Sequence, residues 1–549
     1  MIVLRRCALL LAVTVTVGLL PVLAGRDPAL TVLRARLTDR EPDAAALASV
    51  RAELGLDAGP FGLLRDWLAG LPRGDFGRSW VSGEPAGPEL LHALLVSLSL
   101  AGFATVVAVL VAAVLVSVQG GRSAAALAAV PEFLIAAVLL LVFAARLRLL
   151  PTSGWDDLRY AVLPSIALGV PAGAVLGTVA RDAVRAAQAE PWVRTWRAAG
   201  FTRHRVRAAV ARRAASVVGA QLALVVAGLL GGAVAVEVVF AVPGIGRLAV
   251  NGALAQDMPV VQGCALVVLL VGTVTGAIAA GVQRLVLGPA FAERGMQSPP
   301  IRPVPRPGRF SLVPVFLIVA VLPAGLWRDP LAVDLTARLL PPSARHPFGT
   351  DALGRDLLAR IAHGTVSTVG LAIVVTAVAL LLGLAWGLAV RGSGAADLAN
   401  ALPPTIAALL VATVAGPGVF GAATAVACVS WAPLAAHARS LALEQHAAQH
   451  LDAVRAIGAG RFWVLRRHVL PAVVPAVTRN AVVRLPGIAL GLASLGFLGL
   501  GAQPPRPEWG LLLAEGMTYA ERAPWTVAFP VAMLVLLGVS ALTLASRIR

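Results

Sequence analysis

The chain has 549 residues, 58% of them hydrophobic and only 13% charged, and its mean hydropathy is +0.83. A soluble domain carries about a quarter charged residues, so the composition excludes an ordinary soluble enzyme and points to a membrane protein. The formal net charge is +18 and all 46 basic residues are arginine; a P-loop needs a lysine to reach nucleotide phosphates, so any ATP hydrolysis must be done by another chain.

A spanning helix needs about 20 mostly apolar residues. Apolar runs predict spans near 7–24, 90–118, 124–144, 160–180, 216–240 and 259–287, and a second set near 310–326, 364–390, 398–415, 418–436, 473–500 and 525–546. The expected fold is all-α and polytopic, about 12 transmembrane helices in two six-helix halves. The first run, "RRCALLLAVTVTVGLLPVLAG", shares its pattern with a secretory signal but reads as an uncleaved first span. Pro164 and Pro171 break the fourth predicted span.

Between the first span and the second lies a polar segment, 25–89, with a short amphipathic helix expected at "DAAALASVRAELGL" and turns at "GDFGRSWVSGEP". Residues 1–287 form the first half, a Pro- and Arg-rich cytoplasmic linker covers 288–309, and residues 310–549 form the second half. The second half has a shorter counterpart of the polar segment, in which "FGTDALGRD" suits Asx-type turns before a helix.

Arginine placement sets the orientation. With the N-terminus inside, the loop 181–215 is cytoplasmic and holds nine arginines against Asp182 and Glu190; the linker, the loop 437–472 and the "SRIR" tail also fall inside. Both termini are then cytoplasmic. The basic loops are separated by spans and lack interleaved aromatics, which argues against nucleic-acid binding.

Few side chains suggest chemistry of their own. Cys7, Cys264 and Cys428 are scattered in apolar stretches and read as buried small hydrophobes. His446 and His450 could share a helix face, but no acid or thiol completes a set, so no metal is expected. Glu132 and Glu237 lie in or beside apolar runs, where a buried acid is a functional candidate, although a helix-end role fits Glu237 equally.

One feature repeats. "RTWRAAGFTRHRVRAAVARR" (194–213) and "DAVRAIGAGRFWVLRRHVLP" (452–471) align with Gly200 on Gly458, Arg197 on Arg455 and Ala198 on Ala456. Such a repeat suggests two related units facing one pore through a pseudo-two-fold axis. Each copy reads as helix, tight turn, helix, with Gly458 in a left-handed position that stops the first helix. It could dock into a partner's groove or lie on lipid headgroups of the inner leaflet; two matched copies favour docking.

The second copy resembles the coupling-loop motif of ATP-binding-cassette importer permeases, an acid followed by alanine, then a glycine and a Leu-Pro, matched at Asp452, Ala453, Gly458, Leu470 and Pro471. The likeness extends along the chain. "VEVVFAVPGIGRLAV" and "DMPVVQG" resemble the B-type permease of dipeptide, oligopeptide and nickel importers; "HPFGTDALGRDLLARI" and "SLGFLGLGAQPPRPEWGLLLAEG" resemble its C-type partner. The resemblance implies a transport subunit without cofactor or covalent chemistry, served by two ATPase subunits and an extracytoplasmic substrate-binding protein. It implies docking through Asp452, Ala453, Arg455, Ala456, Gly458, Ala459, Leu470 and Pro471, and in the first copy through Thr195, Arg197, Ala198 and Gly200. That copy departs from the motif, with Arg194 at the acid position, Trp196 at an alanine position, and Arg212 and Arg213 in place of Leu-Pro. An ion-coupled secondary transporter and a non-transporting membrane scaffold are the alternatives.

Overall fold

The structure, a computed structural model, describes residues 11, 14–19, 29–30, 33, 44–53, 59–117, 127, 130–287, 312–389, 407, 409–411, 414, 416–446 and 448–547. The linker 288–309, most of 7–24 and most of 398–415 lie outside the described residues.

The regular elements among the described residues are helices, joined by turns and loops. Helices α1 (Ala44–Glu53) and α2 (Gly59–Gly70) precede α3 (Ala86–Ser117). Then come α4 (Glu132–Leu139, running on as a π-turn to Arg146), α5 (Leu158–Ala189), α6 (Pro191–Ala198), α7 (Arg203–Val239), α8 (Ile245–Leu254) and α9 (Met258–Leu287). The second half holds α10 (Val313–Gly325), α11 (Leu357–Ala389), α12 (Val419–His446), α13 (Gln449–Ala456), α14 (Arg461–Val464), α15 (Leu470–Phe497), α16 (Trp509–Met517) and α17 (Trp525–Arg547).

Among the described residues, 7 helices are long and apolar enough to cross a membrane: α3, α5, α7, α9, α11, α12 and the run 461–497; shorter apolar helices cover Glu132–Ala144, Val313–Gly325 and Trp525–Ser540. Each begins or ends within a few residues of an expected span, and several extend further at one end. The apolar criterion misses such an extension where it carries charge, as at the arginine-bearing start of α7.

The expected break in α5 does not occur. Pro164 and Pro171 sit inside an unbroken helix. Beside them Gly169, Gly173 and Gly177 form a stripe at four-residue spacing, directed at Ala104, Ala108 and Ala112 of α3. A Cβ on Gly169 or Gly173 would lie 2.7 or 2.5 Å from the Ala104 or Ala108 carbonyl oxygen. Small residues thus let two backbones touch, which in lipid is a main source of helix association. The second half reverses the roles: Gly383 and Gly387 of α11 meet Leu434, Ala435 and Ala438 of α12.

The chain groups into two compact units that do not follow the sequence halves. One contains residues Met1–Gly87, Ala249–Ala265 and Arg306–Arg549; the other contains Pro88–Leu248 and Leu266–Pro305. The core of the latter joins Leu100 and Ala104 of α3, Leu163 and Ala167 of α5, and Val236 of α7. In the former, Ala379, Leu434, Ala438, Val473 and Val477 tie α11, α12 and α15 together.

Where the polar segment is described, α1 lies within the stretch expected to be helical, and Gly74, Gly77 and Gly83 take positive φ around an isolated antiparallel bridge from Arg78 to Pro85. The Asp257 carboxylate holds these turns, accepting from the Ser79 hydroxyl and, at 3.0 Å, from the Trp80 N–H. The expected Asx turns form in the second half: Asp351 Oδ1 accepts from the N–H groups of Leu353 and Arg355, and Asp356 Oδ1 from that of Ala359 at the start of α11.

Candidate functional site

The repeated segment keeps its register in three dimensions. Helices α6 and α13 have 8 residues each, and α7 and the run 461–497 have 37 each. Corresponding ends are separated by the same offset that aligns Gly200 with Gly458.

In the first copy, Pro191 opens α6, where its missing N–H costs nothing. The helix closes on Gly200 at φ +79°. The Gly200 N–H donates to the Arg197 carbonyl at 3.2 Å and the Phe201 N–H to the Trp196 carbonyl at 3.1 Å. This pair of bonds is a Schellman cap, which normally carries an apolar contact across its ends. Here that contact is a stack of Trp196 on Phe201, centroids 4.8 Å apart. Thr202 then caps α7, its hydroxyl accepting from the Arg205 N–H.

The second copy closes in the same way. The Gly458 N–H donates to the Arg455 carbonyl at 3.0 Å, the Ala459 N–H to the Val454 carbonyl at 3.2 Å, and Gly458 lies at φ +94°. No atom lies within 4 Å of a Cβ built on Gly200 or Gly458. Both glycines are therefore required for backbone conformation, which costs other residues roughly 1–2 kcal/mol, and not for space.

The copies differ downstream. Pro471, at the second position of α15, has no N–H for the carbonyl four residues back, and a π-turn at Leu465–Val469 widens the helix just before it. At the equivalent place in the first copy stands Arg213, whose Nε donates to Glu190 Oε1 at 3.2 Å; the Trp192 indole N–H donates to the other oxygen at 2.7 Å. An ion pair thus braces α6 where the second copy has a proline.

Each short helix is anchored by one face. Val193 packs with Ala187 of α5 and Val206 and Val210 of α7; Leu451 packs into the cluster containing Ala438, Val464, Val469 and Val473. The other face is open. Thr195, Arg197, Ala198 and Gly200 are exposed, as are Ala453, Arg455, Ala456, Gly458 and Pro471, while Ala459 and Leu470 are half-buried. Large apolar side chains are exposed beside them: Ile457 at 86% and Phe462 at 74%. Asp452 lies on α13; its side chain is outside the described residues.

His446 Nδ1 lies 2.9 Å from Arg455 Nη2, and His468 packs against Trp463 and His450, so these histidines brace the second segment. Among the cysteines Cys264 is buried as expected, but Cys428 is exposed on α12.

Glu237, singled out in the sequence, is fully buried and ends up at a helix terminus. Its Oε2 accepts from the Gly246 and Arg247 N–H groups at 2.8 and 3.0 Å; Ser97 of α3 donates to Oε1 at 2.6 Å and accepts from the Ile245 N–H at 2.8 Å. The orphan donors of α8 are thereby satisfied. The second half has an equivalent that sequence reasoning missed. Glu508 accepts from the Gly510 and Leu511 N–H groups at 3.0 and 2.9 Å, and Thr368 of α11 donates to it at 3.1 Å while accepting from Trp509 N–H. Burial pushes the Glu508 carboxyl up to about 7, against the opposing pull of these hydrogen bonds. An acid immediately before an apolar helix, in "PEWGLLL", is the local signal for a cap.

The family model described as binding-protein-dependent transport system inner membrane component matches residues 104–287 and again 388–548. The chain is 35% identical over 241 residues to the probable D,D-dipeptide transport system permease protein DdpC of Escherichia coli, covering 42% of this chain and 81% of that protein. It is 36% identical over 221 residues to the di/tripeptide transport system permease protein DppC of Pseudomonas aeruginosa, covering 38% and 73%, and 31% identical over 238 residues to the nickel transport system permease protein NikC of Escherichia coli, covering 40% and 84%. Two permease domains, spanning helices and these relatives make one statement: the chain belongs to the binding-protein-dependent transport system inner membrane component family and is a multi-pass inner-membrane permease of ABC transport.

Proposed function

We propose that the chain is a pair of permease halves fused in one polypeptide, B-type-like over 1–287 and C-type-like over 310–549, joined by the cytoplasmic linker 288–309. Its twelve spans form two halves related by a pseudo-two-fold axis, with both termini cytoplasmic. It imports peptides or a similarly small solute delivered by an extracytoplasmic binding protein, and two ATPase subunits drive it. The twofold family match supports the fusion, as does the coverage of the relatives, whose matched lengths span only 38–42% of this chain. The names of those relatives, peptide and nickel permeases, support the solute class.

One observation carries the coupling reading. Both halves present an 8-residue helix closed by a glycine Schellman cap, anchored to the long helices by one buried residue and open on its other face. Each ATPase would seat one such helix in a groove. Movement of the groove would pass through Val193 or Leu451 into the packed spans, which repack as units because close-packed interfaces are bistable and not continuously deformable. The test is Gly458→Val in cells expressing the chain with its ATPases and binding protein. Uptake should be abolished while membrane insertion is unchanged; normal uptake would overturn the coupling assignment.

A further inference from the structure

Helix α10 has one buried side and one exposed apolar side. Ile318 and Gly325 are buried, and Gly325 sits against Leu358 and Ala362 of α11. Val313, Phe316, Leu317 and Val319 are exposed, the surface a membrane helix turns to lipid. The helical turn continues past Gly325: the Leu326 N–H donates to the Leu322 carbonyl at 2.9 Å and the Arg328 N–H to the Gly325 carbonyl at 3.1 Å. Residues 313, 316, 320, 324 and 327 are all exposed and recur at three- and four-residue spacing. Trp327, 91% exposed, thus continues the apolar stripe of α10.

Beyond Trp327 the apolar surface goes on in a loop that is fastened from behind. The Asp334 N–H donates to the Leu353 carbonyl at 3.2 Å and the Leu339 N–H to the Asp351 carbonyl at 3.0 Å. The Leu340 N–H donates to the Thr350 hydroxyl at 2.8 Å, and the Thr350 N–H returns to the Leu340 carbonyl at 3.0 Å. Two arginines are tied to the same turn: Arg328 pairs with Asp356 at 2.6 Å, and Arg338 donates to the Ala352 carbonyl at 2.7 Å. Leu331, Val333 and Leu335 stay 46, 56 and 64% exposed. A loop held this firmly cannot turn them inward, so they need an apolar environment outside the chain.

The length of α10 says what that environment is. Its 13 residues rise about 20 Å, roughly 10 Å less than a typical hydrocarbon core. The loop begins where the helix leaves the remainder uncovered, and a tryptophan at the junction suits the headgroup level. We propose that Trp327 and the loop bearing Leu331, Val333 and Leu335 lie in the bilayer interface, seated on lipid as a continuation of the lipid-facing side of α10. The seat does not depend on the coupling reading, nor on which side of the membrane the end of α10 occupies; in the topology proposed above that side is extracytoplasmic.

The test uses the full-length chain in phosphatidylcholine nanodiscs, without ATPases or binding protein, so failure of the import reading leaves it untouched. The chain has eleven tryptophans, and subtracting the emission of Trp327→Phe isolates Trp327. Adding Leu335→Trp to that variant isolates the loop by the same subtraction. Both positions are exposed, so neither change removes a packed side chain. Lipid brominated near the headgroup end of its acyl chains should quench both reporters about twofold or more, and lipid brominated near the methyl end should quench them less, because an interfacial segment sits only about 5–10 Å into the headgroup and acyl boundary. If headgroup-end bromines leave either reporter unquenched, the seat is overturned and the patch is a water-facing surface for a protein partner. Stronger quenching from the methyl end would also overturn it, by placing the loop inside the hydrocarbon.

Discussion

Ser97 and Thr368 stand at the same position, eleven residues after the first residue of α3 and of α11, and each donates to a buried glutamate while accepting the first N–H of a short helix. The glutamates reach that place by different routes. Glu237 comes from the end of α7, and Glu508 from the residue just before α16. The hydroxyl position is thus common to both halves, and the acid has two solutions. Thr368→Val, which removes the hydroxyl at nearly constant volume, should lower stability by about 1–3 kcal/mol, because two buried groups lose a partner. Thr368→Ser should restore it. Melting temperatures of the detergent-purified variants check this.

Glu508 makes stability depend on pH. Its carboxyl is raised by burial from 4.5 to about 7 in the fold. The native state therefore holds a proton that the unfolded chain has released, and stability is highest below 4.5 and falls as pH rises through 7. The slope is at most about 1.4 kcal/mol per pH unit in that window. Glu508→Gln should flatten the fall between pH 5 and 7; an unchanged slope in thermal scans would assign the effect elsewhere.

The glycine caps predict an order of tolerance. Asparagine accepts the left-handed conformation better than other residues, and β-branched residues worst. Gly458→Asn should retain most uptake, and Gly458→Ala should lose part of it. Gly200→Val should be as damaging as Gly458→Val, since both φ values are positive and neither site is crowded. Uptake together with substrate-stimulated ATPase activity of the co-expressed complex measures this.

Close approach along α5 predicts a steric failure. Gly173→Val forces a side chain into the Ala108 backbone and should cost about 1–3 kcal/mol or more. Gly102→Ala on α3 is the control, because a Cβ there meets nothing within 4 Å. The yield of folded, monodisperse protein should drop for the first and hold for the second.

The repeated glycine-capped segment was legible because its determinants are local. A glycine after a short amphipathic helix specifies a Schellman cap from its own neighbours, so Gly200 and Gly458 could be placed from sequence and repeat alone. The spans were legible for the same reason, since apolar length is a property of a single stretch. The proline break expected in α5 was not realised, because the Gly169 and Gly173 stripe seats the helix against α3, and nothing local to Pro164 or Pro171 announces that partner.

By itself, then, the sequence determined helix placement, the repeat, the absence of a lysine-bearing P-loop, and the exposed glycine-capped segments. Only the tertiary structure decided which polar groups meet inside. Thr368 and Glu508 lie 140 residues apart, as do Ser97 and Glu237, and Arg360 and Glu515 are separated by 155. Burying a charge or a hydroxyl requires a partner in space, and chain order carries no pattern for a partner that distant.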